Sequence, residues 1–559
     1  MKRSRKLVTS KYFEFFVPTV LTAMATNFAA IVDAGIVGNL IDSTALSIVN
    51  ILMPVVQFYA AVSILFGIAA SAIIAGSRGK DGNDFTTGNI TLSVVVTSLL
   101  ALSAVVMAVQ FVFIDEIIAV LTPIEEIRPL VREYYLPVIF GTPVTFLMAS
   151  LVHIVRTDNR PKFATVIVIT SNIVNLIFDV VLIKFFNMGL TGASVATVIG
   201  SCVGLILVFS HFKSRKCTVH WNGSIFKSPK LFGKFLSNVL SAGASGALGI
   251  LLTTVKLLFL NILIQHYGGK AGMVAFSAVS LCQIVESAFV TGGCQAMIPV
   301  VSLLNGEKDY HGVKTGFRVT ARILAISCVA ITAVVELFPE FVAGIYGIRG
   351  EELAGAATAI RISIVMLLGD AITYIFIYFY MCIGKKTLST VISVVNGIVL
   401  IIPFGLISGS LFGINGVWLA MSAAQYSALL LVILTAFVIK HIKKYRSILL
   451  IDESDTNEII AFSADGEPDI QTVHRKISEK TNESTAELVC AVLDVLEQAE
   501  AVPHRKKNTD VRIVGEDEYS VIIKNSGASI GESDFSEISK KCRAFSLSES
   551  IGLTYINFI

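Results

Sequence analysis

Charged residues are scarce in this sequence. Asp, Glu, Lys and Arg make up 15% of its 559 residues, whereas hydrophobic residues make up 54%. A soluble domain has roughly 25% charged residues, so this composition excludes water as the main solvent and indicates a lipid bilayer. The formal net charge is only +3, and the basic residues form short clusters rather than a continuous face. This distribution excludes a nucleic-acid partner.

The sequence also lacks closely paired cysteines. Eight cysteines are scattered through it: Cys202, Cys217, Cys282, Cys294, Cys328, Cys382, Cys490 and Cys542. Their spacing predicts neither a disulfide framework nor a zinc site. The basic start of the chain is followed by a long apolar stretch without a clear small-residue cleavage site. We therefore expect this stretch to be a retained membrane helix rather than a signal peptide.

Long apolar runs are abundant, and a helix needs about 20 such residues to span a bilayer. Twelve segments qualify: Phe15–Leu40, Ile48–Ala75, Ile90–Ile114, Leu136–Val155, Ala164–Phe185, Gly192–Phe212, Leu240–Ile264, Val274–Leu303, Val319–Phe338, Ile362–Cys382, Leu388–Ile407 and Val417–Ile439. The predicted fold class is an all-α polytopic membrane protein with an N-lobe (1–212), a connector (213–235) and a C-lobe (236–446). A mixed, charged region, 451–559, contains no such segment.

Basic residues occupy alternate loops. They are Arg78, Lys80, Arg156, Arg160, Lys162, Lys308, Lys314, Lys385, Lys386, Lys440, Lys443, Lys444 and Arg446, together with the N-terminus and the connector. The intervening loops are poor in Lys and Arg. Because basic loops stay in the cytoplasm, we expect a multi-pass protein of the inner (plasma) membrane with both termini cytoplasmic.

An internal repeat relates the two lobes. The run Met188-Gly-Leu-Thr-Gly-Ala193 matches Phe412-Gly-Ile-Asn-Gly-Val417 at an offset of 224 residues, and Asn172 meets Asn396 at the same offset. Six helices per copy place both copies in the membrane in the same direction, so we predict a parallel repeat around one cavity.

The region after residue 450 is predicted to be a small cytoplasmic α+β domain. Its pattern predicts a helix over Ser484–Glu500 and strands near Val511–Val514 and Tyr519–Ile523, followed by a Gly/Ser loop.

Polar residues inside the apolar segments point to function, because a charged group at mid-bilayer costs about 2.5–3.5 kcal/mol. On the fifth segment Asn172, Asn175 and Asp179 share one helical face. Together with Asp33 and Thr197 they offer the oxygen ligands that a hard cation prefers. Asn175 and Thr197 are equally typical of interhelical hydrogen bonds. The two aspartates favour protonation or cation binding.

Pro18 lies inside the first segment, 15 residues before Asp33. It removes a backbone donor and predicts either a hinge that responds to the carboxylate or a static kink.

The second half carries different polar residues. Lys256 occupies the approximate repeat position of Asp33, and Pro403 that of Asp179, so the oxygen site is not repeated. Lys256 and Glu286 are predicted to form a buried ion pair, with substrate contact as the alternative.

Asp370, Tyr374 and Tyr378 are spaced to form a stripe suited to a lipophilic organic cation. The alternative is aromatic packing with Asp370 bonded to Arg361 or Lys256.

Three of these motifs resemble the multidrug and toxic compound extrusion (MATE) family. They are Asp33-Ala-Gly-Ile-Val-Gly38, Asn172-Ile-Val-Asn-Leu-Ile-Phe-Asp179 and Gly189-Leu-Thr-Gly-Ala-Ser-Val-Ala-Thr197. The resemblance covers roughly 12–444 and implies two six-helix lobes and export coupled to inward Na⁺ or H⁺. By matching motif it implies a cation site at Asp33, Asn175, Asp179 and Thr197, with weaker carry-overs at Tyr134 and Pro18. The seventh segment has no acid, so a C-lobe coupling site is not expected.

The C-terminal region faintly resembles the histidine-kinase-like ATP-binding domain of anti-sigma-factor kinases. Gln498 stands where that family has its metal-binding Asn, and Asn525 where it has its adenine-binding Asp. These departures predict a degenerate regulatory domain that does not bind ATP but contacts a cytoplasmic protein partner.

The functional prediction is a secondary antiporter, not an enzyme. It exports small organic compounds, lipophilic and cationic, in exchange for Na⁺ or H⁺, with no obligatory cofactor, and contacts membrane lipids. Asp33, Asn175 and Asp179 would ligate Na⁺ under sodium coupling, and Asp370, Tyr374, Tyr378, Glu286 and Lys256 would contact substrate. The alternatives are a lipid-linked oligosaccharide flippase and a membrane sensor that signals through its C-terminal domain.

Overall fold

A computed structural model describes most of the chain. It covers residues 5–41, 45, 48–49, 51–81, 85–122, 125–345, 348–349, 351–452, 458–463, 470–481, 483–499, 508–514, 519–526, 530, 532–550 and 553–559. The α-helices up to residue 442 are α1 Lys6–Leu40, α2 Met53–Ser63, α3 Ala69–Asp81, α4 Thr86–Val112, α5 Ile114–Leu121, α6 Arg128–Thr157, α7 Pro161–Val180, α8 Gly189–Phe212, α9 Pro229–Gly306, α10 Tyr310–Leu337, α11 Pro339–Ile345, α12 Glu351–Ile364, α13 Met366–Cys382, α14 Lys386–Val394 and α15 Ile401–Ile442.

Short π-helical turns link several of these helices. The turn Ile64–Ile68 joins α2 to α3, Val181–Phe185 extends α7, and Val395–Val399 extends α14. Within the described residues, ten of the resulting continuous helices are long and apolar enough to cross a membrane. Two of the ten are broken at a glycine with positive φ, Gly269 in α9 and Gly413 in α15. Each of these two therefore consists of two helices and is long enough for two crossings, which gives the predicted twelve helices in two lobes.

The repeat is visible in the backbone. Gly189 has φ 53° and Gly413 has φ 59°, and the two are separated by the predicted offset of 224 residues. This left-handed conformation strains any residue with a Cβ atom, which explains why both copies carry glycine here. At the second copy, the hydroxyl of Ser408 donates to the carbonyl oxygen of Gly416 across the turn at 2.8 Å.

The helices extend beyond the predicted apolar segments. The first begins at Lys6 instead of Phe15, and the fourth crossing, α6, begins at Arg128 instead of Leu136. Hydropathy detects only the lipid-exposed middle of a helix, whereas the backbone hydrogen bonds continue into its polar ends.

The C-terminal domain has the predicted α+β class. Its elements are β1 Glu458–Ser463, α16 Ile470–Ser478, α17 Glu483–Gln498, β2 Asn508–Val514, β3 Ser520–Ser526, α18 Ser536–Ser539, β4 Phe545–Ser550 and β5 Leu553–Phe558. The strands form one antiparallel sheet in the order β1-β2-β3-β5-β4. One helix and two strands of this domain were expected from the sequence. Residue 500, at the end of the predicted helix, and the following Gly/Ser loop from 527 to 529 lie outside the described residues.

The two faces of this sheet have different neighbours. Because side chains alternate along a strand, Val511, Ile513 and Ile523 point to one face, where they join the hydrophobic core formed with α16 and α17. Arg512 and Lys524 lie at intervening positions and point to the other face.

One side of the membrane part carries the basic loops, and we call it the basic side. There the end of α3 crosses the end of α9 at very close range. A Cβ atom on Gly79 would lie 2.0 Å from the carbonyl oxygen of Leu303, and one on Gly306 would lie 2.1 Å from that of Gly76. Only glycine permits this approach, so the backbones of the two helices are in direct contact on the basic side.

Candidate cation and substrate sites

The polar face predicted on the fifth crossing forms a cluster in the N-lobe. Asn175 Nδ2 donates to Asp179 Oδ2 at 3.2 Å and lies 3.3 Å from Thr197 Oγ1 on α8. The side chain of Asp179 is fully buried. The π-helical turn of α7 begins two residues later, at Val181, and such turns occur frequently at functional sites.

Asp33 on α1 completes this cluster. Its carboxyl group lies within hydrogen-bonding reach of the Asp179 carboxyl group. The hydroxyl of Tyr134, on α6, is close enough to interact electrostatically with both. Two carboxylates at this separation repel each other strongly, so a proton or a cation must neutralise one of the charges. The arrangement therefore suits either a shared proton or a bound cation.

One carboxylate oxygen of the cluster, Asp179 Oδ1, remains available to bind the shared proton or the cation. Among the described residues, Asp179 Oδ1 accepts no hydrogen bond from a nitrogen or hydroxyl donor, although it is buried, and Asn172 Nδ2 is buried without an acceptor. A buried polar atom without a partner costs free energy. A proton shared with Asp33, or Na⁺ ligated by carboxylate, amide and hydroxyl oxygens, would satisfy Asp179 Oδ1.

Close packing of α8 on α7 positions the Thr197 end of this cluster. A Cβ atom on Gly200 would lie 2.6 Å from the carbonyl oxygen of Ser171 and 3.0 Å from Asn175 Cβ. The hydroxyl of Ser171 donates to the carbonyl oxygen of Gly200 at 2.8 Å. Gly200 therefore allows Thr197, one turn earlier, to approach Asn175.

A second contact joins α1 to α7 at Pro18. The carbonyl oxygen of Pro18 accepts hydrogen bonds from the hydroxyls of Thr22 and Thr165, each at 2.8 Å. Thr165 precedes Asp179 by 14 residues, and Pro18 precedes Asp33 by 15, so the two helices meet at two levels about 21 Å apart at 1.5 Å per residue. Neither Thr22 nor Thr165 is predicted from the sequence, because a threonine in an apolar helix carries no signal of its partner.

The C-lobe forms a separate polar cluster around Asp370 on α13. Asp370 Oδ1 accepts hydrogen bonds from Gln425 Nε2 at 2.6 Å and from Asn396 Nδ2 at 3.5 Å. The alternative in which Asp370 bonds to Arg361 or Lys256 is therefore wrong, because the side-chain amides of Gln425 and Asn396 donate the hydrogen bonds to Asp370. Asn396 is the repeat counterpart of Asn172, so both lobes place this amide in a polar cluster.

Lys256 and Glu286 join the C-lobe cluster without the expected ion pair. Glu286 is buried and its Oε1 has no hydrogen-bond partner among the described residues. Lys256 is close enough to interact electrostatically with Glu286 and Asp370, but within the described residues it lies within 4 Å of neither carboxylate. The three charged groups therefore surround a space instead of pairing directly.

That space is a cavity of about 160 Å³. Its lining includes Lys256, Glu286, Asp370 and Tyr374. Drug-sized ligands occupy pockets of about 300 Å³ or more, so this cavity is smaller than such a ligand requires.

Tyr378 does not join these four residues; it packs in the hydrophobic core that contains Phe379 and Met381. A residue at i+8 is rotated by about 80° from Asp370, twice the rotation of Tyr374 at i+4. This drift carries Tyr378 off the face that lines the cavity.

A buried ionic network outside both clusters fastens the basic side of the N-lobe. Asp158, after α6, accepts from His211 Nε2 at 2.9 Å, from the backbone amide of Thr218 at 3.1 Å and from the guanidinium of Arg78. Hydrogen bonds from His211 and Thr218 and the charge of Arg78 hold the pKa of Asp158 well below its usual range, against the opposing effect of burial. These partners tie together the loop after α6, α3, α8 and the connector.

One potential metal cluster among the described residues is Asp158, His211 and Cys217. Burial raises the pKa of the Cys217 thiol to about 12, and its Sγ donates to the carbonyl oxygen of Val219 at 3.1 Å. Because a thiolate is the form that ligates metal, and because Asp158 is already bonded to Arg78, these residues form a structural network.

Two repeated helical lobes, each with a buried polar cluster, are the architecture of a polytopic secondary transporter. The sequence matches the MatE family over residues 18–181 and 247–407, which together make up more than half of the chain. The chain belongs to the MatE family, and the predicted membership is confirmed.

Curated relatives are similar over most of their length. The multidrug export protein MepA of Staphylococcus aureus (strain MRSA252) is 24% identical over 418 residues, which cover 74% of this chain and 90% of the relative. MepA of Staphylococcus haemolyticus (strain JCSC1435) is 22% identical over 421 residues, with the same shares.

Solved structures share the fold. A multidrug resistance MATE family transporter of the MOP superfamily in an outward-facing conformation matches with a TM-score of 0.72 and 19% identity, covering 80% of this chain and all of that one. A MOP superfamily transporter from Pyrococcus furiosus Vc1 (DSM3638), whose binding pocket is described as having reverse polarity, matches with a TM-score of 0.70 and 19% identity, over 77% of this chain and 97% of that one.

Proposed function

We propose that this protein is an antiporter that exports lipophilic organic cations in exchange for Na⁺ or H⁺. The observation that carries the proposal is the N-lobe cluster, in which Asp33 and Asp179 lie within hydrogen-bonding reach of each other beside Tyr134. The two carboxyl groups belong to different helices, so a change in their shared charge alters the force between α1 and α7. Family membership and the two-lobed fold support export as the direction.

The coupling step follows from that charge. With a proton or Na⁺ bound, repulsion between Asp33 and Asp179 is relieved and α1 and α7 stay together. Loss of the cation restores the repulsion, and the second contact between these helices, at Pro18 and Thr165, allows the change to be transmitted about 21 Å along α1. Pro18 lacks a backbone donor, so the helix bends there at lower cost than elsewhere.

The basic side is proposed to face the cytoplasm, because Lys and Arg are retained on that side. Crossing of α3 and α9 closes this side in the present conformation. The conformation is thus assigned to the outward-facing half of the cycle.

The C-lobe cavity is the proposed contact for the cationic substrate. Two acids, Asp370 and Glu286, face one base, Lys256, so the charged groups sum to −1 when all three are ionised. Tyr374 adds an aromatic face at the same cavity. The cavity is smaller than a drug-sized molecule, so substrate would enter it only after the lobes separate.

The flippase alternative requires a cavity lined by several basic residues. Among the described residues that line the C-lobe cavity, Lys256 is the one basic side chain, and it faces two acids. This charge balance favours the export of cations over the movement of an anionic lipid-linked sugar. The sensor alternative predicts instead that removal of the C-terminal domain abolishes the activity of the protein.

The test is efflux of a fluorescent organic cation from proteoliposomes under an imposed sodium or proton gradient. Asp179→Asn should abolish gradient-driven transport, because an amide neither binds the exchanged proton nor supplies a charge to Na⁺. Glu116→Gln is the matched control, since Glu116 is an exposed carboxylate at the start of α5. Full gradient-driven efflux by Asp179→Asn would exclude the N-lobe site as the coupling site.

A further inference from the structure

The second face of the C-terminal sheet is buried, although an antiparallel sheet with one covered face usually leaves the other in water. Arg512 is 2% exposed and Lys524 is 1% exposed. Lysine and arginine are almost never this deeply buried unless they are paired. Arg512 pairs with the carboxylate of Glu458 on β1 at 2.7 Å. Its other partners, and the carboxylates paired with Lys524, belong to the membrane part of the chain.

These partners form the loop that joins α9 to α10. Arg512 donates to the carbonyl oxygens of Glu307 and Lys308, at 3.0 and 3.2 Å. Lys524 forms ion pairs with the carboxylates of Glu307 and Asp309, the second at 3.0 Å. Both carboxylates are almost fully buried.

The same face of the sheet also packs on α1. Leu553 and Tyr555 of β5 belong to one hydrophobic cluster with Leu7 and Val8 at the start of α1. The C-terminal domain therefore contacts both the helix that carries Asp33 and the loop that follows the seventh and eighth crossings.

The position of the α9–α10 loop gives this contact its significance. Glu307 directly follows Gly306, where α9 lies against Gly76 of α3. The two helix ends must separate for the basic side to open, and Glu307 and Lys308 must then move relative to α1. A domain bound to both elements opposes that separation.

We propose that the C-terminal domain is a latch that holds the basic side of the transporter closed. The latch rests on the proposed function in one respect, namely that transport requires this side to open. Opening must either break the pairs of Lys524 with Glu307 and Asp309 or displace the domain from α1. A signal that loosens the domain from the loop would therefore raise the fraction of transporters open to the basic side.

The test measures that fraction directly in the full-length protein. Spin labels at Lys162→Cys, at the start of α7, and Lys443→Cys, after α15, report the distance between the lobes on the basic side, and both positions are exposed. The half-buried Cys202 and Cys542 are replaced by serine. Lys524→Glu reverses the charge of the latch, and Lys540→Glu makes the same change at an exposed position of the same domain.

Lys524→Glu is expected to raise the ratio of long-distance to short-distance populations by about tenfold or more relative to Lys540→Glu, because it leaves buried carboxylates facing a like charge. Adding Glu307→Lys should lower the ratio again, which also shows that the domain still folds. Equal ratios in Lys524→Glu and Lys540→Glu, or no reversal by Glu307→Lys, would overturn the latch. Loss of gradient-driven transport with the distance change intact would overturn the proposed antiport and leave the latch standing.

Discussion

Gly200→Ala is expected to uncouple the N-lobe cation site without removing any polar group from it. The added methyl group would lie 2.6 Å from the carbonyl oxygen of Ser171 and 3.0 Å from Asn175 Cβ, whereas ordinary contacts begin near 3.5 Å. The α8 helix must retreat from α7 by somewhat under 1 Å to accommodate it. That shift would lengthen the 3.3 Å contact between Asn175 and Thr197 beyond hydrogen-bonding range.

The magnitude follows from the overpacking. Added methyl groups in packed interiors cost about 1–3 kcal/mol. At 1.4 kcal/mol per factor of ten, this cost lowers the population in which Thr197 contacts Asn175 by roughly 5- to 150-fold. The assay is the initial rate of gradient-driven efflux from proteoliposomes. Gly249→Ala is the control, because a methyl group there meets no atom within 4 Å. Similar efflux by the two alanine variants would refute the argument that close packing at Gly200 positions the site.

Three further outcomes are expected. Asp158→Asn leaves Arg78 without its carboxylate and should lower the stability of the detergent-solubilised protein by about 3 kcal/mol, measured by thermal unfolding. Folding lowers the pKa of Asp158. The stability that this carboxylate contributes should therefore be present above pH of about 4 and be lost as the pH falls below that value. Thr165→Val removes one of the two hydroxyl donors to the carbonyl oxygen of Pro18 and should slow gradient-driven efflux several-fold, more than Thr358→Val at an exposed position; equal rates would show that this contact does not take part. A chain shortened after Asp452, which keeps the buried Ile451, should retain gradient-driven efflux if the protein is an exporter, whereas loss of all activity would favour the sensor.

The charges of the C-terminal domain show where sequence reasoning stops. Arg512 and Lys524 lie in a charged, mixed region that is typical of an exposed surface, and no motif marks them. Their partners in the membrane part lie in the loop 307–309, which is about 200 residues away in the chain. The loop Leu304-Asn-Gly-Glu-Lys-Asp309 is similar in sequence to the loop Gly76-Ser-Arg-Gly-Lys-Asp81. Only the structure shows that Gly306 and Gly76 of these two loops touch.

The resemblance of this domain to an ATP-binding fold remains a prediction. Asn525 is buried and its Nδ2 donates to Thr509 Oγ1 at 2.8 Å, whereas Gln498 is exposed at the end of α17. Nucleotide binding would be checked with a fluorescent ATP analogue on the full-length protein, and we expect none.

The sequence by itself determined that the protein lies in a lipid bilayer, the number of crossings, the repeat and the composition of the N-lobe cluster. Each is encoded locally: a bilayer requires about 20 apolar residues per helix, and residues three, four and seven apart share a helical face, as Asn172, Asn175 and Asp179 do. Only the tertiary structure decided which faces meet. It brought Asp33 to Asp179, gave Asp370 amide partners instead of a cation, turned Tyr378 away from the C-lobe cavity and buried Lys524 against a distant loop. Contacts between helices depend on packing at positions such as Gly200, where the absence of a side chain lets two helices approach closely. Hydropathy does not indicate where such close approaches occur.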